Sequence, residues 1–125
     1  MSVHELGCMF AAGAIDICQP SVIKFGGIGA VAQAATLAQA HSVDYVPHCF
    51  YFGPGFLASL HLAAAFAPGV PFELFFGELQ ASPYHGAVHA RGGRLTVPDG
   101  PGLGIEPDTT VIDKYRLGAP VNIGG

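Results

Sequence analysis

Three side chains suited to proton transfer lie at or near the ends of strand-like segments. Ser21 and His48 each directly follow a proline that closes a short, largely apolar segment, and Glu73 lies inside a third segment, residues 71–76, made mostly of aromatic and aliphatic residues. An imidazole can take up a proton near neutral pH, and a carboxyl group can hold or donate one. The pattern therefore indicates an acid–base site.

Each of these groups also has a structural interpretation. An acid among aromatic residues needs polar partners or must stay protonated, so Glu73 is either functional or half of a structural ion pair. His48 is either a general base or a polar side chain bonded to a neighbouring loop. Position along the chain does not separate these alternatives.

The segments around these residues alternate between strand and helix patterns. The predicted elements are strands over residues 14–19, 44–47 and 72–76, and helices over residues 28–41 and about 56–66. A strand, helix, strand order requires parallel strands, so the predicted fold class is α/β. Because the carboxyl ends of parallel strands share one edge, Ser21, His48 and Glu73 are expected at a common site.

The pattern changes after residue 80. Residues 87–90 and 94–97 flank Arg91-Gly92-Gly93 and predict a β-hairpin. A short helix is expected from Asp108 to Arg116 with Asp108 as its N-cap, and frayed residues from Gly118 to Gly125. The predicted organisation is an α/β segment over residues 1–80 and an irregular tail over residues 81–125.

Composition excludes several classes of protein. A chain of 125 residues is one domain at most, and 50% of it is hydrophobic while only 11% is charged, against about 25% in average proteins. A net charge of −4 with five Lys and Arg residues offers no basic surface for nucleic acid. Polar residues and prolines interrupt the apolar stretches, so no membrane span is predicted. The odd number of cysteines, three without metal-ligand spacing, favours a reducing cytoplasm.

A rival interpretation is a dinucleotide-binding fold. Residues 27–32, Gly-Ile-Gly-Ala-Val-Ala, match G-x-G-x-x-A between a predicted strand and a helix. The fingerprint also needs an acid at the end of the second strand, but Asp44 begins that strand and His48 follows its end. We therefore favour glycines that allow a tight turn and close packing of the helix.

Four segments resemble one enzyme family. Residues 16–28, Pro47-His48, Phe72-Glu73 and residues 97–104, Val-Pro-Asp-Gly-Pro-Gly-Leu-Gly, look like the carboxyl-terminal part of the mandelate racemase and muconate lactonising enzyme family of the enolase superfamily. The likeness runs from about residue 11 to residue 117. It implies that the three predicted strands are the sixth to eighth of a (β/α) barrel, and that residues 81–125 pack on a capping domain.

The same resemblance implies a chemistry. Members of this family abstract the proton α to a carboxylate and stabilise the enediolate with Mg²⁺. His48 matches their histidine base, and Glu73 matches an acid that donates a hydrogen bond to the substrate carboxylate. Donation requires a protonated Glu73, which its apolar neighbours would favour. Lys24 matches a basic position to which we assign no role.

Two departures from the family pattern limit what the chain is expected to do. Ser21 stands where enzymes with the histidine base carry an aspartate that orients it, and the magnesium ligands of the family come from strands outside this chain. The resemblance thus implies part of a Mg²⁺-dependent acid-sugar dehydratase or racemase that is inactive alone. It implies an acid-sugar or hydroxy-acid substrate once the barrel is completed by an amino-terminal half or by self-association. The alternative is a non-catalytic association module or a gene remnant.

Overall fold

The computed structural model describes residues 1–119. Its elements, in chain order, are α1 (Val3–Ala11), β1 (Ile17–Cys18), α2 (Ile28–Ala40), β2 (Asp44–Tyr45), α3 (Pro54–Phe66), a 3₁₀ turn (His85–Val88) and α4 (Thr109–Tyr115). β1 and β2 pair in parallel, with Ile17 opposite Asp44 and Cys18 opposite Tyr45. The predicted strand, helix, strand unit and its α/β class are confirmed.

Helix α2 lies at the centre of the packing. Its residues Val31, Ala34, Ala35 and Ala38 are fully buried, and the helix contacts both α1 and α3. Small alanine side chains let the neighbouring helices approach closely. Ile28, the first residue of the helix, is exposed.

Glycines set the direction in which α2 and α3 leave the loops before them. Gly27 and Gly53 are the N-cap residues of these helices and have φ angles of 90° and 82°. Residues with a β-carbon rarely adopt this backbone conformation. Both predicted helices are confirmed, and Gly27 serves as the predicted turn residue.

Helix α1 is an element that the sequence analysis did not anticipate. Ser2 accepts a hydrogen bond from the backbone N–H of Glu5, and the Glu5 carboxylate accepts one from the Ser2 N–H. This reciprocal capping box begins the helix, whose Leu6 and Phe10 are buried against α2. The Ser-x-x-Glu spacing was the available signal.

The predicted third strand is wrong. Residues 70–75 have no regular secondary structure, and the sheet within the described part of the chain has only β1 and β2. A strand exists only where its backbone finds a partner. Here the aromatic side chains pack on other loops instead, with the Phe75 ring 4.4 Å from that of Phe50.

The predicted hairpin is also wrong, apart from its turn. The segment over residues 87–90 begins inside the 3₁₀ turn, so it cannot form a ladder with residues 94–97. Only Arg91 and Arg94 form an antiparallel bridge, closed by Gly92 and Gly93 with φ angles of 57° and 74°. The turn chemistry was therefore predicted correctly but the strand length was not.

The tail packs on α3 and ends in the short predicted helix. Apolar residues of the tail join the buried cluster of Cys49, Phe56, Leu57 and Leu60; they are Tyr84, Leu95, Val97, Leu103 and Ile105. Helix α4 begins as expected, because the Asp108 carboxylate accepts a hydrogen bond of 2.8 Å from the Thr110 N–H. Residues 120–125, the end of the predicted frayed segment, lie outside the described residues.

Within residues 1–119, every helix is too short or too polar to cross a membrane.

Candidate active site

His48 and Glu73 are in direct contact. Nδ1 of the imidazole lies 2.8 Å from Oε2 of the carboxyl group, and the backbone N–H of Cys49 donates to the same oxygen over 2.8 Å. The side chains of His48 and Glu73 are 32% and 34% exposed. The pair is thus fixed by the protein on one side and open to solvent on the other.

Backbone hydrogen bonds hold His48 at the end of β2. The N–H of Val46 donates to the carbonyl of Cys18, and the N–H of His48 donates to that of Pro20 over a longer 3.4 Å. The two parallel chain segments therefore stay side by side beyond the assigned strands. Pro47 is fully buried and anchors the turn from which His48 projects.

Aromatic packing, rather than the hydrogen bonds of a strand pair, positions Glu73. The Phe72 ring contacts the buried Phe56 ring of α3 edge to face, with centroids 5.4 Å apart. The Cys49 N–H then fixes the carboxyl group itself. The apolar neighbours of Glu73 in sequence predicted a strongly desolvated carboxyl group. The side chain is instead one-third exposed, so it is less desolvated than predicted.

Ser21 is close to the site along the backbone but its hydroxyl takes no part in it. The residue is only 5% exposed, and Oγ has no hydrogen-bond partner in the described structure. Its carbonyl accepts from the N–H groups of Lys24 and Phe25, in the turn that follows β1. Lys24 itself is exposed. The structure thus brings His48 and Glu73 together and leaves the Ser21 hydroxyl apart.

A buried hydrogen bond joins the segment after Cys49 to α3. The Tyr51 hydroxyl is 2.9 Å from the hydroxyl of Ser59, which is fully buried on α3. Burial raises the pKa of the Cys49 thiol to about 11, and burial likewise raises the pKa of the Cys18 thiol to about 11. Both are therefore neutral, inert thiols at physiological pH.

Sequence reasoning missed the role of Cys49. Its contribution to the site is a backbone N–H, which every residue except proline carries, so no side-chain pattern signals it. The only available signal was position, since Cys49 directly follows His48 at the strand end.

The donors within residues 1–119 do not fit a magnesium ion. Mg²⁺ prefers six oxygen ligands in an octahedral arrangement, largely carboxylates and water. No group of three His, Cys, Asp or Glu side chains in residues 1–119 is placed to hold a metal. Oε2 of Glu73, the carboxyl group at the site, already contacts two protein groups, the Cys49 N–H and His48 Nδ1.

An exposed aromatic surface borders the pair. Phe50 and Phe52 follow His48 and Cys49, and both rings contact that of Phe75. Phe76 stacks on Phe75 and is 87% exposed. We call Phe50, Phe52, Phe75 and Phe76 the aromatic patch. Contiguous exposed apolar surface of this kind marks binding surfaces in soluble proteins.

Several known proteins are similar to this chain in sequence and fold. The chain is 36% identical over 120 residues to D-galactarolactone cycloisomerase of Agrobacterium fabrum, covering 88% of this chain and 32% of that protein. It is 30% identical over 104 residues to arabinonate dehydratase of Saccharolobus solfataricus, covering 82% and 28%. The crystal structure of the 3,6-anhydro-D-galactonate cycloisomerase from Zobellia galactanivorans superposes with a TM-score of 0.77 at 30% identity, over 91% of this chain and 33% of that one.

The chain spans about a third of the length of these relatives. The model of the enolase C-terminal domain-like family matches residues 1–111, which is most of the sequence. The resemblance read from the four segments is thereby confirmed. This chain belongs to the enolase C-terminal domain-like family and corresponds to a carboxyl-terminal portion of its enolase-superfamily relatives.

Proposed function

We propose that this chain supplies the proton-transferring part of an acid-sugar dehydratase or cycloisomerase site. The observation that carries the proposal is the contact between His48 and Glu73 at the end of a parallel strand, in a chain whose relatives bear those names. In this proposal His48 removes the proton α to the substrate carboxylate. A racemase of the same superfamily begins with the same step, so the chemistry of the pair fits that outcome too.

The pair divides the work between its two residues. His48 is about one-third exposed, so its ring is accessible to a substrate. The Oε2 atom of Glu73 is occupied by protein donors, which leaves Oε1 to face the substrate carboxylate. Donation to the substrate carboxylate requires a proton on Oε1, which leaves Oε2 free to accept from the protein.

The remaining parts of the site come, in this proposal, from outside the chain. Superfamily enzymes generally use Mg²⁺ to stabilise the enediolate, and the donors of residues 1–119 do not fit that ion. We therefore propose that the 125-residue chain is inactive alone and needs an amino-terminal barrel segment. The three free thiols are consistent with a reducing cytoplasm as its location.

A chimera tests this function. The chain is joined to the part of D-galactarolactone cycloisomerase that it does not match, and turnover of acid sugars and their lactones is followed with added Mg²⁺. The proposal predicts activity in the chimera, none in the isolated chain, and a loss of at least about 100-fold in the His48→Gln chimera. His4→Gln is the matched control, since His4 is exposed on α1 away from the site. An equally active His48→Gln chimera would contradict the proposal.

A second candidate is a non-catalytic association module, and the aromatic patch favours it. Phe76 is largely exposed, as is Ile17 at the edge of the small sheet. Open sheet edges and exposed rings both promote pairing with another chain. Light scattering after size-exclusion chromatography separates the candidates. A dimer that Phe76→Ser converts to a monomer, together with an inactive chimera, would support association alone. A gene remnant would show neither dimerisation nor activity in the chimera.

A further inference from the structure

We propose that Glu73, rather than the residue at position 21, orients the imidazole of His48. Glu73 fixes the ring proton on Nδ1 and thereby leaves the lone pair on Nε2 directed away from the carboxyl group. In the proposed reaction, Nε2 then receives the α-proton. Only this consequence, and not the orientation of the ring, rests on the proposed function. Glu73 is then a positioning residue for His48 in addition to facing the substrate.

The hydrogen bonds on Oε2 identify which atom carries the proton. The backbone N–H of Cys49 can only donate, so Oε2 must accept over that 2.8 Å contact. An unprotonated carboxyl oxygen accepts well, whether the group is ionised or is neutral with its proton on Oε1. The proton in the second 2.8 Å contact therefore belongs to Nδ1 of His48.

The Ser21 hydroxyl does not perform this task. It is buried, and Oγ makes no hydrogen bond within residues 1–119, to His48 or to any other group. The backbone at this point does tie the two segments together, through the His48 N–H and the Pro20 carbonyl. The family resemblance places an orienting aspartate at position 21, but here the carboxyl group of Glu73 contacts the ring.

The anchor for this arrangement is rigid. Cys49 is fully buried in the cluster that contains Phe56 and Leu57 of α3. Its N–H is therefore held at a fixed place, next in sequence to the imidazole that it helps to orient. The adjacent residues His48 and Cys49 thus both contact Oε2 of Glu73, which restricts the orientation of the carboxyl group and of the ring.

The proton balance of the proposed step agrees with this geometry. The substrate C–H bond breaks, its electron pair remains on the substrate as the enediolate, and a new N–H bond forms at Nε2. The ring then carries protons on both nitrogens, and Nδ1–H still donates to Oε2. No rotation of the imidazole is needed in either direction of transfer.

Side-chain ¹⁵N–¹H NMR of the full 125-residue chain tests the inference. Spectra are recorded at about pH 8.5, above the usual histidine pKa of ~6.5, where neutral rings show which nitrogen carries the proton. The inference predicts the Nδ1–H tautomer for His48 in the unmodified chain. An Nε2–H tautomer there would overturn it without any variant being needed.

Three variants locate the orienting group. Glu73→Leu is expected to abolish the preference for Nδ1–H, while Glu73→Gln retains it because the amide oxygen still accepts. Ser21→Ala is expected to leave the tautomer unchanged. A tautomer that responds to Ser21→Ala but not to Glu73→Leu would overturn the inference. This readout is independent of turnover, so an inactive chimera with the predicted tautomer would contradict only the proposed function.

Discussion

Two buried serines differ in a way that a stability measurement can detect. Ser21 and Ser59 are 5% and 1% exposed, but only the Ser59 hydroxyl has a partner, Tyr51 at 2.9 Å. A buried hydroxyl without a hydrogen bond destabilises the folded state, while a bonded one contributes about 1 kcal/mol.

We therefore expect Ser21→Ala to leave the free energy of unfolding unchanged or higher, and Ser59→Ala to lower it by about 1 kcal/mol. Urea unfolding followed by circular dichroism measures both. The two variants remove the same hydroxyl from equally buried sites, so each is the control for the other. A larger loss in Ser21→Ala than in Ser59→Ala would contradict the hydrogen-bond assignment.

At the scale of residues, the sequence identified the groups but not their contacts. His48 and Glu73 stand out because their chemistry is unusual within apolar segments, and the structure brings them within 2.8 Å. Three features escaped prediction: the Cys49 N–H, the unpartnered Ser21 hydroxyl and the partial exposure of Glu73. All three depend on tertiary packing, which residue types alone do not specify.

Among the elements, the loop over residues 97–104 depends more on Gly104 than on Gly102. A β-carbon at Gly104 would clash with the Pro98 carbonyl oxygen, and its φ is +86°. At Gly102 the φ is +65°, but no atom lies within 4 Å of such a carbon. The loop packs on α3, where the His61 ring lies 3.0 Å from the Leu103 carbonyl oxygen.

We expect Gly102→Ala to cost about 1 kcal/mol through backbone conformation alone, and Gly104→Ala to cost clearly more because backbone atoms must also move. Chemical denaturation of both variants provides the test. Since the substitution is identical, equal losses would show that the close approach at Gly104 has no energetic consequence.

Elements with strong local signals were predicted well. The helix patterns over residues 28–41 and 56–66 predicted α2 and α3, and Asp108 predicted the start of α4. The segment over residues 72–76 has the composition of a strand but no strand beside it in the described residues, so its rings pack on one another. A strand needs a paired partner, which tertiary packing decides, and this explains why both failed element predictions were strands.

The whole molecule should lose stability in alkaline solution. Burial raises the pKa of Cys18 and Cys49 to about 11, and burial raises the pKa of Tyr45 still further. Above the pKa of ordinary thiols, the folded state retains protons that the unfolded state loses. The stability that the protonated groups contribute is therefore fully present below the ordinary thiol pKa of ~8.5 and is lost as pH rises towards 11.

Thermal unfolding between about pH 8 and pH 10.5 checks this expectation. The midpoint should fall with pH, and the fall should be shallower in Cys18→Ala. Cys8→Ser is the control, since Cys8 is exposed and should not change the slope. A midpoint independent of pH, or equal slopes in all three proteins, would contradict the burial of these thiols.

We expect His48 of this chain to move the α-proton of an acid sugar once the remaining barrel is supplied. Exchange of that proton for deuterium in D₂O, followed by ¹H NMR in the chimera with D-galactarolactone cycloisomerase, reports the step directly. Exchange is expected in the unmodified chimera and none above background in His48→Gln. Exchange that persists in His48→Gln, or is absent from a folded, Mg²⁺-supplied chimera, would contradict it.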